Sequence, residues 1–316
     1  MSDHSNIEWT DATWSPTVGC LKVSPGCENC YAIDTAYRQE HAFKRPEYQG
    51  TTRKLPDGSR NWTGTVRTLP GRLTLPLKWR TPRRIFVDSM SDLFHADMPD
   101  EFLDKVFATM AITARHTYQV LTKRPERMQR YVADPEARCR IGRLMTLGVI
   151  LTAPGRIDVD GGEMAEWHQH GVQWPLPNVW LGVSVEDQQR ADARIPLLLQ
   201  TPAAVRWLSC EPLLGPVDLW APRYPWPDRA VVEGQADLGS GFAWGRGIQW
   251  VVAGGESGAH ARPMDPGWAR SLRDQCQAAG VAFYFKQWGG RTHAAGGREL
   301  DGRTWDEYPV TAYDCL

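Results

Sequence analysis

Residues 84–94 read RIFVDSMSDLF, and residues 100–114 just beyond them read DEFLDKVFATMAITA. The first stretch is a short apolar, β-branched run that stops in a polar cluster, which is the pattern of a buried parallel strand running into a loop. The second places its apolar residues at helical spacing. The same unit returns along the chain. YQVLTKRPE (118–126) leads into the helix-spaced RPERMQRYVADPEARCRIGRLM (124–145), and NVWLGVSVED (178–187) leads into DQQRADARIPLLLQ (187–200). VRWLSCEPLLG (205–215) follows, then IQWVVAGGESG (248–258) ahead of PGWARSLRDQCQAAG (266–280), and finally VAFYFKQWGG (281–290). Strand followed by helix, repeated, predicts βαβ units, a mostly parallel sheet and an α/β fold of partial (β/α) barrel type.

With 316 residues the chain is long enough for one such domain spanning 1–316. Two stretches fit no unit and read as insertions: residues 44–83, rich in Arg, Pro, Gly and Thr, and residues 216–247, with PRYPWPDR and a glycine-rich patch. No apolar run approaches the roughly 18 residues of a membrane span. The opening MSDHSNIEWTDATW lacks the basic start and apolar stretch of a signal peptide, so a cytoplasmic protein with reduced cysteines is expected, with no membrane partner. A formal net charge of −1 argues against a uniformly basic coat, while leaving room for a local basic groove.

In barrels of this kind chemistry is done at the C-terminal ends of the strands. Polar residues gather there in this chain: Asp88, Ser89, Ser91 and Asp92; Thr122, Lys123 and Arg124; Ser184, Glu186 and Asp187; Ser209, Cys210 and Glu211; Gly254, Gly255, Glu256 and Ser257; Lys286 and Gln287. Glu211 can bind a ribose hydroxyl or an ammonium group, or else cap a helix or pair with an arginine. Glu256 faces the same choice, beside glycines that allow backbone to approach a ligand closely. Lys123, Arg124 and Arg127 form a basic edge that reads either as a phosphate or carboxylate receiver or as a solvated helix face. Together with Arg80, Arg83 and Arg84 they make DNA, RNA or a nucleotide a candidate partner. Asp88, Asp92 and His95 offer a divalent-metal set, and with Glu211 the two aspartates suggest a metal-dependent nuclease. Trp207 and Trp250 read as packing residues on strands.

Three of the seven cysteines, Cys20, Cys27 and Cys30, fall in GCLKVSPGCENCY (19–31). A Cys-x-x-Cys pair puts two sulfurs within reach of one metal centre, and the Ser24-Pro25-Gly26 turn folds the third over it. Structural zinc wants a fourth ligand, which His4 or His41 can supply; such a zinc-stapled chain would be a nucleic-acid-binding accessory protein without redox chemistry. Three thiolates alone suit a 4Fe-4S cluster whose fourth iron is open.

The ordered motifs WSPTVGCLKVSPGCENCYA (14–32), DSMSDLFH (88–95), LTKRPER (121–127), LGVSVED (181–187), SCEPLLG (209–215), AGGESG (253–258) and KQWG (286–289) resemble the phage Gp37/Gp68 family, also called three-Cys-motif proteins. That family in turn resembles radical S-adenosylmethionine enzymes, which build a partial (β/α) barrel and hold a 4Fe-4S cluster on three cysteines after the first strand. The resemblance implies a cluster on Cys20, Cys27 and Cys30, S-adenosylmethionine on its open iron, a reductant such as a flavodoxin or ferredoxin, and modification or repair of nucleic acid or a nucleotide. From their place at the strand ends, Ser89, Ser91, Asp92, Ser184, Glu186, Glu211, Gly254, Gly255 and Glu256 are expected to contact the cofactor, with Lys123, Arg124 and Arg127 on the substrate; the role of the superfamily's glycine-rich motif is not carried over to Gly254–Glu256. Two features are this chain's own: six residues separate Cys20 from Cys27, and its Gly-Gly-Glu follows a late strand.

Overall fold

The structure, a computed structural model, describes residues 4–146, 171–220, 247–292 and 294–310. Seven strands form the main sheet: β1 (Ala12–Trp14), β2 (Arg84–Val87), β3 (Thr117–Thr122), β4 (Val179–Ser184), β5 (Val205–Cys210), β6 (Trp250–Gly254) and β7 (Ala282–Gln287). They are hydrogen-bonded in that consecutive order. The pairings β1 with β2, β2 with β3, β3 with β4, β5 with β6 and β6 with β7 are all parallel. A doubly wound sheet reverses its order at a switch point; an unbroken sequential order is the winding a partial (β/α) barrel requires. The helices between strands are α2 (Asp100–Ile112), α3 (Pro125–Val132), α4 (Ala137–Thr146), α5 (Gln188–Leu199) and α6 (Pro266–Ala279), following α1 (Tyr31–His41) in the cysteine region.

Local chemistry explains these boundaries. β4 is buried at all six positions, as a strand covered on both faces must be. α2 starts after Pro99 with Asp100 and Glu101 in its first turn, where carboxylates oppose the helix dipole. α6 opens with Asp265, whose side chain accepts the Gly267 N–H at 2.6 Å, and stops at Gly280, which takes the left-handed conformation at φ 66°. The expected helix 124–145 is two helices, broken where Asp134 and Pro135 end the first one.

The chain parts into two compact units, one of Met1–Val183 with Gln200–Ala204, the other of Ser184–Leu199 with Val205–Leu316. In the first, Trp14, Tyr118, Phe94 and Phe107 are fully or almost fully buried. In the second, Trp207 and Trp250 are wholly buried with ring centroids 5.2 Å apart, which is the packing role expected of them. The 44–83 insertion carries order of its own. Thr52–Lys54 pairs antiparallel with Arg60–Trp62, and Arg67–Thr68 pairs with Thr17–Val18. Tyr48 and Trp62 from the insertion join Val18, Ile33, Ala36 and Met90 in a small core against which Cys20 and Cys30 pack. PRYPWPDR and the glycine-rich patch of the 216–247 insertion lie outside the described residues. Among the described residues no helix is long and apolar enough to cross a membrane.

Candidate functional site

The cysteine loop connects β1 to α1. After β1 the chain pairs briefly at Thr17–Val18, passes Gly19, makes a 3₁₀ turn at Pro25–Cys27 and enters α1 with Cys30 as the N-cap residue. Gly19 sits at φ 92°, and a Cβ there would lie 2.1 Å from the Thr65 carbonyl oxygen, so only glycine passes. Ser91 donates its hydroxyl to the Gly19 carbonyl at 2.7 Å, the Gly19 N–H bonds the Met90 carbonyl, and the Tyr31 hydroxyl bonds the Ser89 carbonyl at 3.0 Å. The residues after β2 therefore tie the thiol loop to the end of that strand; Ser89 and Ser91, expected as cofactor contacts, are part of this tether.

Asp92 is the hub beside it. One carboxylate oxygen accepts from the Thr122 hydroxyl at 2.7 Å and the Phe94 N–H at 3.0 Å; the other accepts from the Lys123 N–H at 3.1 Å and the Arg124 guanidinium at 2.7 Å. Arg124 reaches onward to the Leu21 carbonyl at 2.9 Å and to the Cys20 sulfur at 3.9 and 4.0 Å. A carboxylate on β2's loop thus aims a guanidinium from β3's loop at a thiol. Burial, with Asp92 adding to it, pushes the Cys20 thiol up to about 12 while Arg124 pulls it down. Burial raises Cys30 as well, Cys27 adds to the effect, and Lys123 opposes it. Arg127, expected on the substrate, bonds the Met98 carbonyl at 3.2 Å and the Asp100 carboxylate.

Asp88, expected with Asp92 and His95 in a metal set, faces away from that role. Its two oxygens take the Thr17 N–H at 3.1 Å and hydroxyl at 2.8 Å, and its backbone is in the left-handed region at φ 59°. His95 is buried with Nδ1 accepting the Asp97 N–H at 3.3 Å and Nε2 without a hydrogen-bond partner. Among the described residues no three His, Cys, Asp or Glu side chains are grouped closely enough to hold a single metal ion.

Burial raises the Asp88 carboxyl to about 7, against an ordinary value of 3.8. The folded chain therefore holds a proton that the unfolded chain has released between pH about 4 and about 7, so Asp88's contribution to stability falls through that window and is flat above it. The full effect is at most roughly 4 kcal/mol. Asn tolerates the left-handed backbone and cannot ionise. In urea unfolding, the stability of Asp88→Asn relative to wild type is expected to rise from pH 4 to pH 7 and then level off; a difference independent of pH would contradict the buried, proton-holding carboxyl.

In the second unit, Glu186 is fully buried and accepts from Arg194 at 2.9 Å, while the Ser184 carbonyl accepts from the same guanidinium at 2.8 Å. Glu256 takes Arg262 through both oxygens at 2.8 and 2.6 Å, and the Arg262 N–H at 2.9 Å. A Cβ on Gly255 would meet the Trp288 carbonyl oxygen at 1.9 Å, so its missing side chain serves the crossing of two backbone segments. Glu211 pairs with Lys286 at 3.0 Å, and a Cβ on Gly254 would approach the same carboxylate at 3.1 Å. That pair presents a partly exposed carboxylate and ammonium, with the unpartnered Gln287 Oε1 buried in the same unit. Cys210 and Cys276 are buried and their thiols are raised by burial, as inert core cysteines are.

The sequence did not point to Thr17, Arg194 or Arg262 as partners. Arg262 lies six residues beyond Glu256, a local signal for a loop-closing pair; the Thr17–Asp88 contact, across 71 residues, has no such signal.

These features define a class: a parallel-sheet α/β protein with consecutive strand order and a three-cysteine loop behind its first strand. Within it, the chain belongs to the family described as a protein of unknown function, DUF5131, whose model matches residues 4–309. No curated protein matches the chain, and no solved structure does.

Proposed function

We propose that this is an iron–sulfur enzyme of radical S-adenosylmethionine type, resembling the phage Gp37/Gp68 proteins, with a 4Fe-4S cluster on Cys20, Cys27 and Cys30 and a nucleic acid or nucleotide as substrate. The observation that carries the reading is the loop itself, three thiols between β1 and α1 with cationic groups acting on two of them. A tetrahedral zinc site needs its sulfurs about 3.8 Å apart, given Zn–S bonds of about 2.3 Å. Cys30 acts electrostatically on Cys20 and Cys27 on Cys30, so the three thiols are neighbours. A cuboidal cluster spreads its ligands over several irons and takes thiols that are near one another without converging on one point.

The donor set fits the group. Three thiolates carry three negative charges, and Arg124 at Cys20 and Lys123 near Cys30 offset part of that charge. Asp92 fixes Arg124's direction, and Ser91 and Tyr31 fix the loop's height on the strand ends. Held on Cys20, Cys27 and Cys30, a reduced cluster would supply the one electron needed for reductive cleavage of S-adenosylmethionine. The chain's own part is to hold the thiols in register, to keep a guanidinium on one of them and to shield the loop with the Tyr48–Trp62 core.

The test is to incubate anaerobic, reconstituted full-length protein with dithionite and S-adenosylmethionine. 5′-Deoxyadenosine and methionine are expected in equal amounts. Intact S-adenosylmethionine beside a reduced cluster would leave an iron–sulfur protein and remove the radical chemistry.

A further inference from the structure

The insertion that packs on the cysteine loop is charged out of proportion to the chain. Residues 44–83 hold ten Lys or Arg and two acidic residues, in a protein of net charge −1. Lys44, Arg45, Arg53 and Lys54 are exposed, and among the described residues none forms an ion pair. Arg53 and Lys54 stand on one strand of the small hairpin, in register with Asn61 and Arg60 on the other. Arg60 fastens the hairpin to α1 by its pair with Asp34 at 2.8 Å and by lying 4.5 Å over the Tyr37 ring. The same helix ends beside Phe43, which is 61% exposed, and begins at Tyr31, which is 55% exposed. Isolated surface lysines need no explanation; a run of unpaired cations interleaved with solvent-facing aromatic rings does.

We infer that this face, α1 with the 51–63 hairpin and the turn at 43–45, binds the sugar-phosphate backbone of single-stranded nucleic acid. It rests on the proposed function for the substrate's class and moves the contact away from Lys123, Arg124 and Arg127. Arg124 and Arg127 are engaged with Asp92, Cys20, Leu21, Met98 and Asp100, so they have little to offer a phosphate. Lys44, Arg45, Arg53 and Lys54 supply sequence-independent attraction to phosphates. Phe43 and Tyr31 supply flat faces on which unpaired bases stack, which a duplex does not offer. α1 is roughly 16 Å long, the length of about five stacked nucleotides. A strand lying along it therefore spans from the basic turn to the residue next to Cys30.

The full-length protein is titrated into a fluorescein-labelled 20-nucleotide single strand and its duplex at 50–200 mM salt, with phosphatidylserine vesicles and an acidic flavodoxin as rival polyanions. Wild type is expected to bind the single strand best, with affinity falling steeply as salt rises. The variant carrying Lys44→Glu, Arg45→Glu, Arg53→Glu and Lys54→Glu should bind at least tenfold more weakly, with a shallower salt slope. Phe43→Ala should weaken the single strand more than the duplex. All five positions are exposed, so folding is checked by thermal unfolding alongside. Unchanged binding in the fourfold variant, or equal affinity for vesicles or flavodoxin, overturns the inference. Chelator-treated wild-type protein, freed of iron, should bind the strand as before. Absence of iron in untreated protein that still binds would sink the cluster and leave this surface standing, whereas an iron-loaded protein indifferent to nucleic acid would do the reverse.

Discussion

Replacing Cys20, Cys27 and Cys30 together by alanine is expected to leave anaerobically reconstituted protein colourless, whereas wild type should be brown, absorb near ~400 nm, bleach with dithionite and carry about four irons per chain. The reason lies in where the thiols are. All three belong to one loop anchored at both ends, by β1 and by α1, and Cys210 and Cys276 are buried core residues. Because Cys20 and Cys30 are partly buried and pack on the Tyr48–Trp62 core, alanine fits the space and the fold should persist. Far-ultraviolet circular dichroism checks that. Iron retained at wild-type level in the triple variant would place the metal elsewhere in the chain.

Asp92→Ala should be the most destabilising single substitution in the first unit's loop cluster, by about 3–5 kcal/mol in urea unfolding. An exposed ion pair is worth about 0–1 kcal/mol, but Asp92 and Arg124 side chains are only 8% and 13% exposed. Removing the carboxylate strands a guanidinium in a poor solvent and unpairs the Thr122 hydroxyl and the Phe94 and Lys123 N–H groups at once. Asp92→Asn keeps an acceptor for some of these donors and loses the charge, so it should fall between alanine and wild type. Arg124→Gln in the Asp92→Ala background should recover part of the loss, since the unpaired charge goes with it. A loss below about 1 kcal/mol for Asp92→Ala would mean that solvent reaches the pair.

The strands that can be read from the sequence are those with apolar runs: β2 through β7 have four to six residues each, at least half of them buried, and helix-spaced segments follow β2, β3, β4 and β6. β1 could not be read this way. It is three residues, ATW, and exists because β2 pairs with it and Trp14 is buried with its indole N–H on the Arg72 carbonyl. α1 was hidden for a similar reason: YAIDTAYRQEH buries only Ala32, Ile33 and Ala36, and much of what they pack on comes from an insertion that looked irregular. The cysteines stood out because their spacing is local. Arg124's place did not, since LTKRPER reads as a basic edge and its partner Asp92 lies 32 residues earlier, brought beside it only by the pairing of β2 with β3. Glu186 and Glu256 looked like ligand-binding carboxylates at strand ends; each is occupied by an arginine from the loop or helix that follows it.

Elemental and sulfide analysis of wild-type protein purified without oxygen decides whether the three-thiol loop holds a 4Fe-4S cluster. About four irons and about four acid-labile sulfides per chain are expected, with no stoichiometric zinc. One zinc per chain, no sulfide and no visible absorption would contradict it.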